Sequence, residues 1–161
     1  MGRRCGYLAL MSAIAGGAEA VLVPEFEPRS EEVMRAFKRG REQGKPHFIV
    51  VAAEGAPLSA KEFHEYVNEA GGGVESHITV LGHLQWGGSP TAFDRILASR
   101  MGTAAVKALS EGESGVMIRL EGRRMGRIPL NEVVGRARPL DPDTYEMAEV
   151  LAGLPEEISY R

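Results

Sequence analysis

Apolar positions recur along the chain in two rhythms, one helical and one strand-like. From Gly6 to Ala15 they make a helix that Gly16-Gly17 would end, and Ala20 to Val23 follows as a short buried strand closed by Pro24. Ser30 is placed as the N-cap of a second helix, with Glu31 and Glu32 in its first turn, where the positive end of the helix dipole favours carboxylates. Val33 and Phe37, four residues apart, give that helix one apolar face as far as Gly44. His47 to Ala52 is a continuous apolar run of strand length. Ser59-Ala60-Lys61-Glu62 is a capping box that opens a helix to Ala70, and Ile78 to Leu81 is the third predicted strand. Strands about 27 to 30 residues apart with a helix between them have the size of βαβ units, so the predicted fold class is α/β, a three-layer sandwich around a mostly parallel sheet.

Beyond the glycine-rich stretch LGHLQWGGSP, the positions Phe93, Ile96, Leu97, Met101, Ala104, Ala105 and Leu109 fall on one stripe of a long helix. Val116 to Leu120 and Arg127 to Pro129, joined around Glu121-Gly122, are predicted as a β-hairpin, and Thr144 to Leu151 as a last helix packing back on the body. No repeat, low-complexity tract or linker divides the chain, which predicts one domain over residues 1–161.

Composition adds bounds rather than identity. With 161 residues, 43% hydrophobic and 25% charged, the chain has the make-up of a soluble globular domain and can bury one sizeable core. Its 20 glycines, about 12% against a usual ~7%, imply many turns or close backbone approaches to a ligand. Lys and Arg total 19 and Asp and Glu 22, a net charge of −3, so no basic field invites nucleic acid. The basic residues are mostly Arg, a bias that fits either a GC-rich genome or sites for carboxylates and phosphates.

The single cysteine, Cys5, rules out an internal disulfide and suits a reducing, cytoplasmic setting. No run reaches the roughly 18 apolar residues that would read as a membrane span. The amino terminus does imitate a secretory signal, with Arg3 and Arg4, the apolar Tyr7 to Ala15, and Ala18-Glu19-Ala20 as a small-x-small site, which leaves an exported protein as an alternative. Cleavage there would strip the strand VLVPEF of its preceding helix. The myristoylation pattern fails at Gly6.

In open α/β sheets ligands bind beyond the carboxyl ends of the strands. The residues just past the three predicted strands are Pro24-Glu25, Ala53-Glu54-Gly55 and Gly82-His83, which places two carboxylates and an imidazole on one edge. MGRRCG at a helix start adds free N–H groups and positive charge, so a small anionic, hydroxylated ligand fits that edge. On the residues alone Glu25 reads as a solvated turn residue, while Glu54 and His83 divide between a buried hydrogen-bonding role and ligand contact. The four histidines, His47, His64, His77 and His83, form no HxxxH pair, and no metal site is predicted. Ser12, Ser89 and Ser110 lack the G-x-S-x-G elbow of a serine nucleophile.

MGRRCGYLAL, then AIAGGAEAVLVPE, IVVAAEGA and TVLGHLQWGGSPTAFDRILASRMG, stand in the order and near the spacing found in bacterial 6-phosphofructokinases. Over nearly its whole length the chain resembles the carboxy-terminal, fructose 6-phosphate-binding half of that family. The resemblance implies a phosphofructokinase-like fold, incomplete relative to the family, and a part in the glycolytic transfer of a phosphoryl group from ATP to fructose 6-phosphate. It implies that Met1 and Gly2 contact the sugar phosphate, that Arg3 is the catalytic cation beside the transferring phosphoryl group, and that Glu54 and His83 hold the sugar. Fixed cationic donors suit a phosphoryl transition state, and a carboxylate suits two hydroxyls of a furanose. It also implies that Gly17, Glu19 and Lys45 belong to an allosteric site for a nucleotide or phosphoenolpyruvate, with Gln43 where a basic residue is common.

Two positions depart from the family. Arginines that bind the sugar's 6-phosphate, one reaching in from a neighbouring subunit, are replaced by His77 and Trp86. Indole offers one neutral donor and histidine is mostly neutral near pH 7, where arginine offers a charged fork of five. At roughly 1.5–3 kcal/mol for each charge-assisted contact, losing both costs about 3–6 kcal/mol, or on the order of 10² to 10⁴ in affinity.

Family members are about twice as long, and their other half carries the glycine-rich ATP and magnesium segment and the TIDND motif with the catalytic base. The resemblance therefore implies that ATP and Mg2+ are bound mainly by that half, that the choice between ATP and pyrophosphate lies there, and that this chain alone is inactive. GGGV near Gly72 lacks a following GK[ST] and reads as a loop. Met1 coincides with an internal methionine of the family motif, which suggests a truncated or internally started frame. The expected partners are a homo-oligomer or a complementing amino-terminal half. The alternative is a noncatalytic sugar-phosphate or nucleotide-binding subunit, or a degenerate remnant.

Overall fold

A computed structural model of the chain describes residues 4–70, 75–136 and 139–153, without the Trp86 side chain. Its elements are α1 (Tyr7–Gly16), β1 (Ala20–Leu22), α2 (Ser30–Glu42), β2 (Val50–Ala52), α3 (Ala60–Glu69), a 3-10 turn at Gly82–Trp86, α4 (Ala92–Ser110), β3 (Val116–Glu121), β4 (Arg124–Pro129), α5 (Leu130–Val133) and α6 (Pro142–Leu151). They fall into two compact units, residues 1–80 with 137–161, and residues 81–136.

In the first unit β1 and β2 pair in parallel, Ala20 opposite Val50, Val21 opposite Val51 and Leu22 opposite Ala52. Side chains of a strand alternate between its faces, and the two hydrophobic clusters follow that alternation. Ala20 and Leu22 pack with Val33 and Met34 of α2 and Phe63 and Val67 of α3. Val21 and Val23 pack with Leu10 and Ala13 of α1 and with Leu140, and Tyr145 and Ala148 of α6 lie against that cluster. The parallel pair is thus the middle of three layers, as the spacing of its strands predicts.

Local chemistry explains where these helices begin and end. α1 stops because Gly17 adopts φ +66° and its N–H turns back to the carbonyls of Ala13 and Ile14, a conformation that costs a β-carbon-bearing residue energy. The α3 capping box is complete: Ser59 Oγ accepts the Glu62 N–H at 3.2 Å and the Glu62 carboxylate accepts the Ser59 N–H at 2.8 Å. Ser30 is not the cap of α2, as its sequence suggests, but its first helical residue; Arg29 holds the cap position with no side-chain hydrogen bond there.

Two strand expectations are corrected. The run from His47 contributes only Val50–Ala52, with His47 and Ile49 exposed ahead of it. Ile78 to Leu81 is not a strand: residues 75–81 join no ladder with a described strand, and Val80 is 85% exposed. An apolar run becomes a strand only when a neighbour satisfies its backbone N–H and C=O groups, and none of the described strands lies beside this one.

In the second unit Thr91 and Asp94 form a reciprocal capping box at the head of α4, with the Asp94 carboxylate accepting the Thr91 N–H at 2.8 Å. β3 and β4 form an antiparallel hairpin whose last pair is Glu121 opposite Arg124. Pairing begins three residues earlier on β4 than predicted because Gly122, at φ +57°, reverses the chain within a two-residue loop. The predicted helix forms as α4, yet Phe93, Ile96 and Leu109 of its stripe are exposed, and its one buried residue, Ala108, lies outside that stripe. A two-stranded sheet offers too little apolar surface to cover a nineteen-residue helix.

Candidate functional site

The carboxyl ends of β1 and β2 carry the predicted acidic pair. Glu54 stands exposed in the turn after β2, which the Ala56 N–H closes onto the Ala53 carbonyl at 3.0 Å. Glu25 is half-buried after β1, and both of its carboxylate oxygens accept the Gly6 N–H, at 2.9 and 3.1 Å. Its reading as a solvated turn residue is therefore corrected: the carboxylate is spent on the start of α1. Met1, Gly2 and Arg3 lie outside the described residues.

The residues matched to an effector site come together in the same unit. Lys45 Nζ lies 2.6 Å from Glu19 Oε1, and Glu19 Oε2 accepts the Ile49 N–H at 2.5 Å. Glu19 is buried, two residues past the left-handed Gly17, and its own N–H bonds to the Ile49 carbonyl at 2.9 Å, lengthening the β1–β2 ladder. Lys45 also sits 5.1 Å above the Phe48 ring, which faces Phe37 at 4.4 Å. Phe48 can approach because Gly40 has no side chain; a β-carbon there would stand 2.4 Å from Phe48 Cζ. Gln43, the C-cap of α2, is exposed.

His77 is exposed on the segment before Val80, with Nε2 3.4 Å from Glu75 Oε1. Its neighbour Ser76 is tied to α3: Ser76 Oγ lies 2.7 Å from His64 Nδ1 and donates to Asn68 Oδ1 at 3.1 Å, while Asn68 Nδ2 meets His64 Nε2 at 3.1 Å. This closed ring places His64, which no motif singles out. In the other unit His83 is exposed in the 3-10 turn that contains Trp86 and begins at Gly82, φ +46°.

A buried polar cluster escaped the sequence reading altogether. Glu149, on α6, is 7% exposed; its carboxylate lies 3.5 Å from Arg29 Nη1 and is hydrogen-bonded by the Tyr145 hydroxyl. Burial raises the Glu149 pKa, although Arg29 pulls the other way, and burial together with the Glu149 charge pushes the Tyr145 phenol up to about 12. These three side chains line a small cavity with Ala13, Ala20 and Val33. The one available signal was a glutamate four residues from a tyrosine on an otherwise apolar helical stripe.

Among the described residues no three His, Cys, Asp or Glu side chains converge as a metal site, and no helix is long and apolar enough to cross a membrane.

The parallel pair layered between helices, with Glu25 and Glu54 past the carboxyl ends of its strands, is an α/β arrangement. The chain belongs to the phosphofructokinase family: the pattern described as Phosphofructokinase matches residues 1–109. It is 42% identical over 152 residues to the ATP-dependent 6-phosphofructokinase of Halalkalibacterium halodurans and 44% identical over 151 residues to ATP-dependent 6-phosphofructokinase 1 of Clostridium perfringens. Each match covers 94% of this chain and 47% of the relative, so the chain spans about half the length of the curated relatives it matches. Among solved structures it resembles the phosphofructokinase of Saccharomyces cerevisiae, with a TM-score of 0.75, 33% identity, 95% of this chain and 21% of that one. The T-state phosphofructokinase of Pichia pastoris gives 0.72, 34%, 95% and 17%.

Proposed function

We propose that this chain is the substrate- and effector-binding half of an ATP-dependent 6-phosphofructokinase, acting in the cytoplasm and inactive without an amino-terminal half. The observation that carries the reading is its identity of 42–44% with enzymes of that name over 94% of its own length but 47% of theirs. In this reading the Glu54 carboxylate, exposed past β2, accepts hydroxyl hydrogen bonds from fructose 6-phosphate, and His83 holds the same sugar. Met1 and Gly2 contact the sugar phosphate through their backbone. The Arg3 guanidinium stabilises charge as it develops on the transferring phosphoryl group, and the product is fructose 1,6-bisphosphate. In this reading ATP and Mg2+ are bound mainly by the complementing half.

The test is complementation. The purified chain is mixed with the amino-terminal half of a relative and assayed for fructose 1,6-bisphosphate. Activity in the mixture and none in either part is the expected result; a folded, associated mixture without activity overturns the reading.

A second reading, a noncatalytic binding subunit, draws on one observation, the Glu19–Lys45 ion pair, set beside the resemblance's implication that His77 and Trp86 stand where the family carries arginines. Calorimetry with ADP and with phosphoenolpyruvate tests it, and absence of binding by both removes it.

A further inference from the structure

We propose that His64 is a positioning residue: closed into a ring with Asn68 and Ser76, it clasps the segment before Val80 to α3 and so holds residue 77 in place. The proposal rests on the family reading that position 77 faces the sugar phosphate. Asn68 Nδ2 is a donor only, so at 3.1 Å His64 Nε2 accepts from it and the imidazole proton stands on Nδ1. That proton points to Ser76 Oγ at 2.7 Å, and the Ser76 hydroxyl donates to Asn68 Oδ1 at 3.1 Å. Each of the three side chains donates once and accepts once, and hydrogen bonds chained in this way strengthen one another.

The clasp has a firm side and a dependent side. His64 and Asn68 lie four residues apart, one turn along the same face of α3. The residues before them, Phe63 and Val67, are buried among Ala20, Leu22, Val33 and Met34, and the Ser59–Glu62 capping box closes the start of the helix. The dependent side is residues 75–80, which among the described residues join no ladder, so side chains supply their tie to the helix. Ser76 and His64 are both half-buried, which limits the competition of water for the bond between them. Next to Ser76 stands His77, whose exposed ring meets Glu75 Oε1 at 3.4 Å, so the clasped residue is the immediate neighbour of the one it places. A side chain binds a phosphate only while a donor is held within roughly 2.7–3.2 Å of an oxygen, and a tie one residue away restricts where that donor can swing.

The test uses the whole chain and the charged fork that His77→Arg installs, which makes binding through position 77 large enough to read. Ser76→Ala, Ser76→Thr and His64→Ala are made in the wild-type and His77→Arg chains. Three signals are followed: the nitrogen resonances of the His64 ring, cleavage after Glu75 by a glutamate-specific protease, and fructose 6-phosphate affinity by calorimetry. Exchange of α3 amides is the control for folding. In wild type the His64 proton is on Nδ1. In Ser76→Ala and His64→Ala, cleavage after Glu75 rises about tenfold and the roughly tenfold gain in affinity from His77→Arg shrinks to about twofold, while α3 amides are unchanged. Ser76→Thr, which keeps the hydroxyl, returns both toward the parent. Unchanged cleavage in Ser76→Ala overturns the proposal, and so does a wild-type His64 proton on Nε2 or an undiminished gain from His77→Arg once the segment is freed. If His77→Arg brings no gain with the ring intact, the sugar-phosphate reading of position 77 falls instead; cleavage and the His64 resonances then decide alone whether the ring holds the segment.

Discussion

The Glu149 carboxylate and the Arg29 guanidinium stand 3.5 Å apart, the first nine-tenths buried on α6 and the second half-exposed at the head of α2. The pair joins two elements far apart in the chain, and its energetics depend on pH. Because burial raises the Glu149 pKa, the folded state binds this proton more readily than the unfolded state. The contribution of Glu149 to stability therefore rises as pH falls through its raised value and levels off below the ordinary carboxylate value. Glu149→Gln should melt above wild type at pH 7, with the gap closing as the pH approaches 4. Arg29→Met should cost about 1–3 kcal/mol at pH 7 by leaving a buried carboxylate unpaired, and less in the Glu149→Gln background. Thermal melts of the four proteins across that pH range check both.

Gly6 and Gly102 make opposite predictions for the same substitution. A methyl group at Gly6 meets Val23 and Glu25 at under 3 Å, whereas at Gly102, inside α4, nothing lies within 4 Å. Gly6→Ala should lose about 1–3 kcal/mol through overpacking, and Gly102→Ala should gain up to about 1 kcal/mol from helix propensity. Urea denaturation distinguishes them.

Lys45→Met should leave the buried Glu19 carboxylate without its ion-pair partner, with the Ile49 N–H still bonded to it. The expected loss of stability is about 1–2 kcal/mol. On the effector reading the same variant also abolishes any calorimetric signal from ADP.

His77→Arg and Trp86→Arg restore charged forks at the two positions that depart from the family. Each should tighten fructose 6-phosphate binding by about tenfold or more, and the double variant by on the order of 10² to 10⁴, read by calorimetry. No gain from either would place these residues away from the sugar phosphate.

The α3 capping box depends on acid. Hydrogen bonds from Ser59 hold the Glu62 carboxyl below its ordinary value, so its contribution is full above the ordinary carboxylate pKa and is lost as pH falls through the lowered one. Ser59→Ala should destabilise the protein by about 1 kcal/mol at pH 7, and by less near pH 3, as followed by circular dichroism.

The features legible in sequence are those whose causes lie within a few residues. Ser59 and Glu62 cap α3 three positions apart, Gly17 ends α1 by its own backbone freedom, and the alternation of Ala20 to Val23 between two faces was set by the pleat of a strand. The family was legible too, through the ordered motifs from MGRRCGYLAL to GGSPTAFDR. Three outcomes belong to tertiary structure: Ile78 to Leu81 joins no ladder with a described strand because a ladder needs a neighbouring backbone, Glu25 turns from solvent to the Gly6 N–H nineteen residues away, and Glu149 is buried against Arg29. Hydrogen-bond partners and burial distant in sequence are properties of the packed chain, and no local pattern of apolar and polar residues encodes which distant group will arrive.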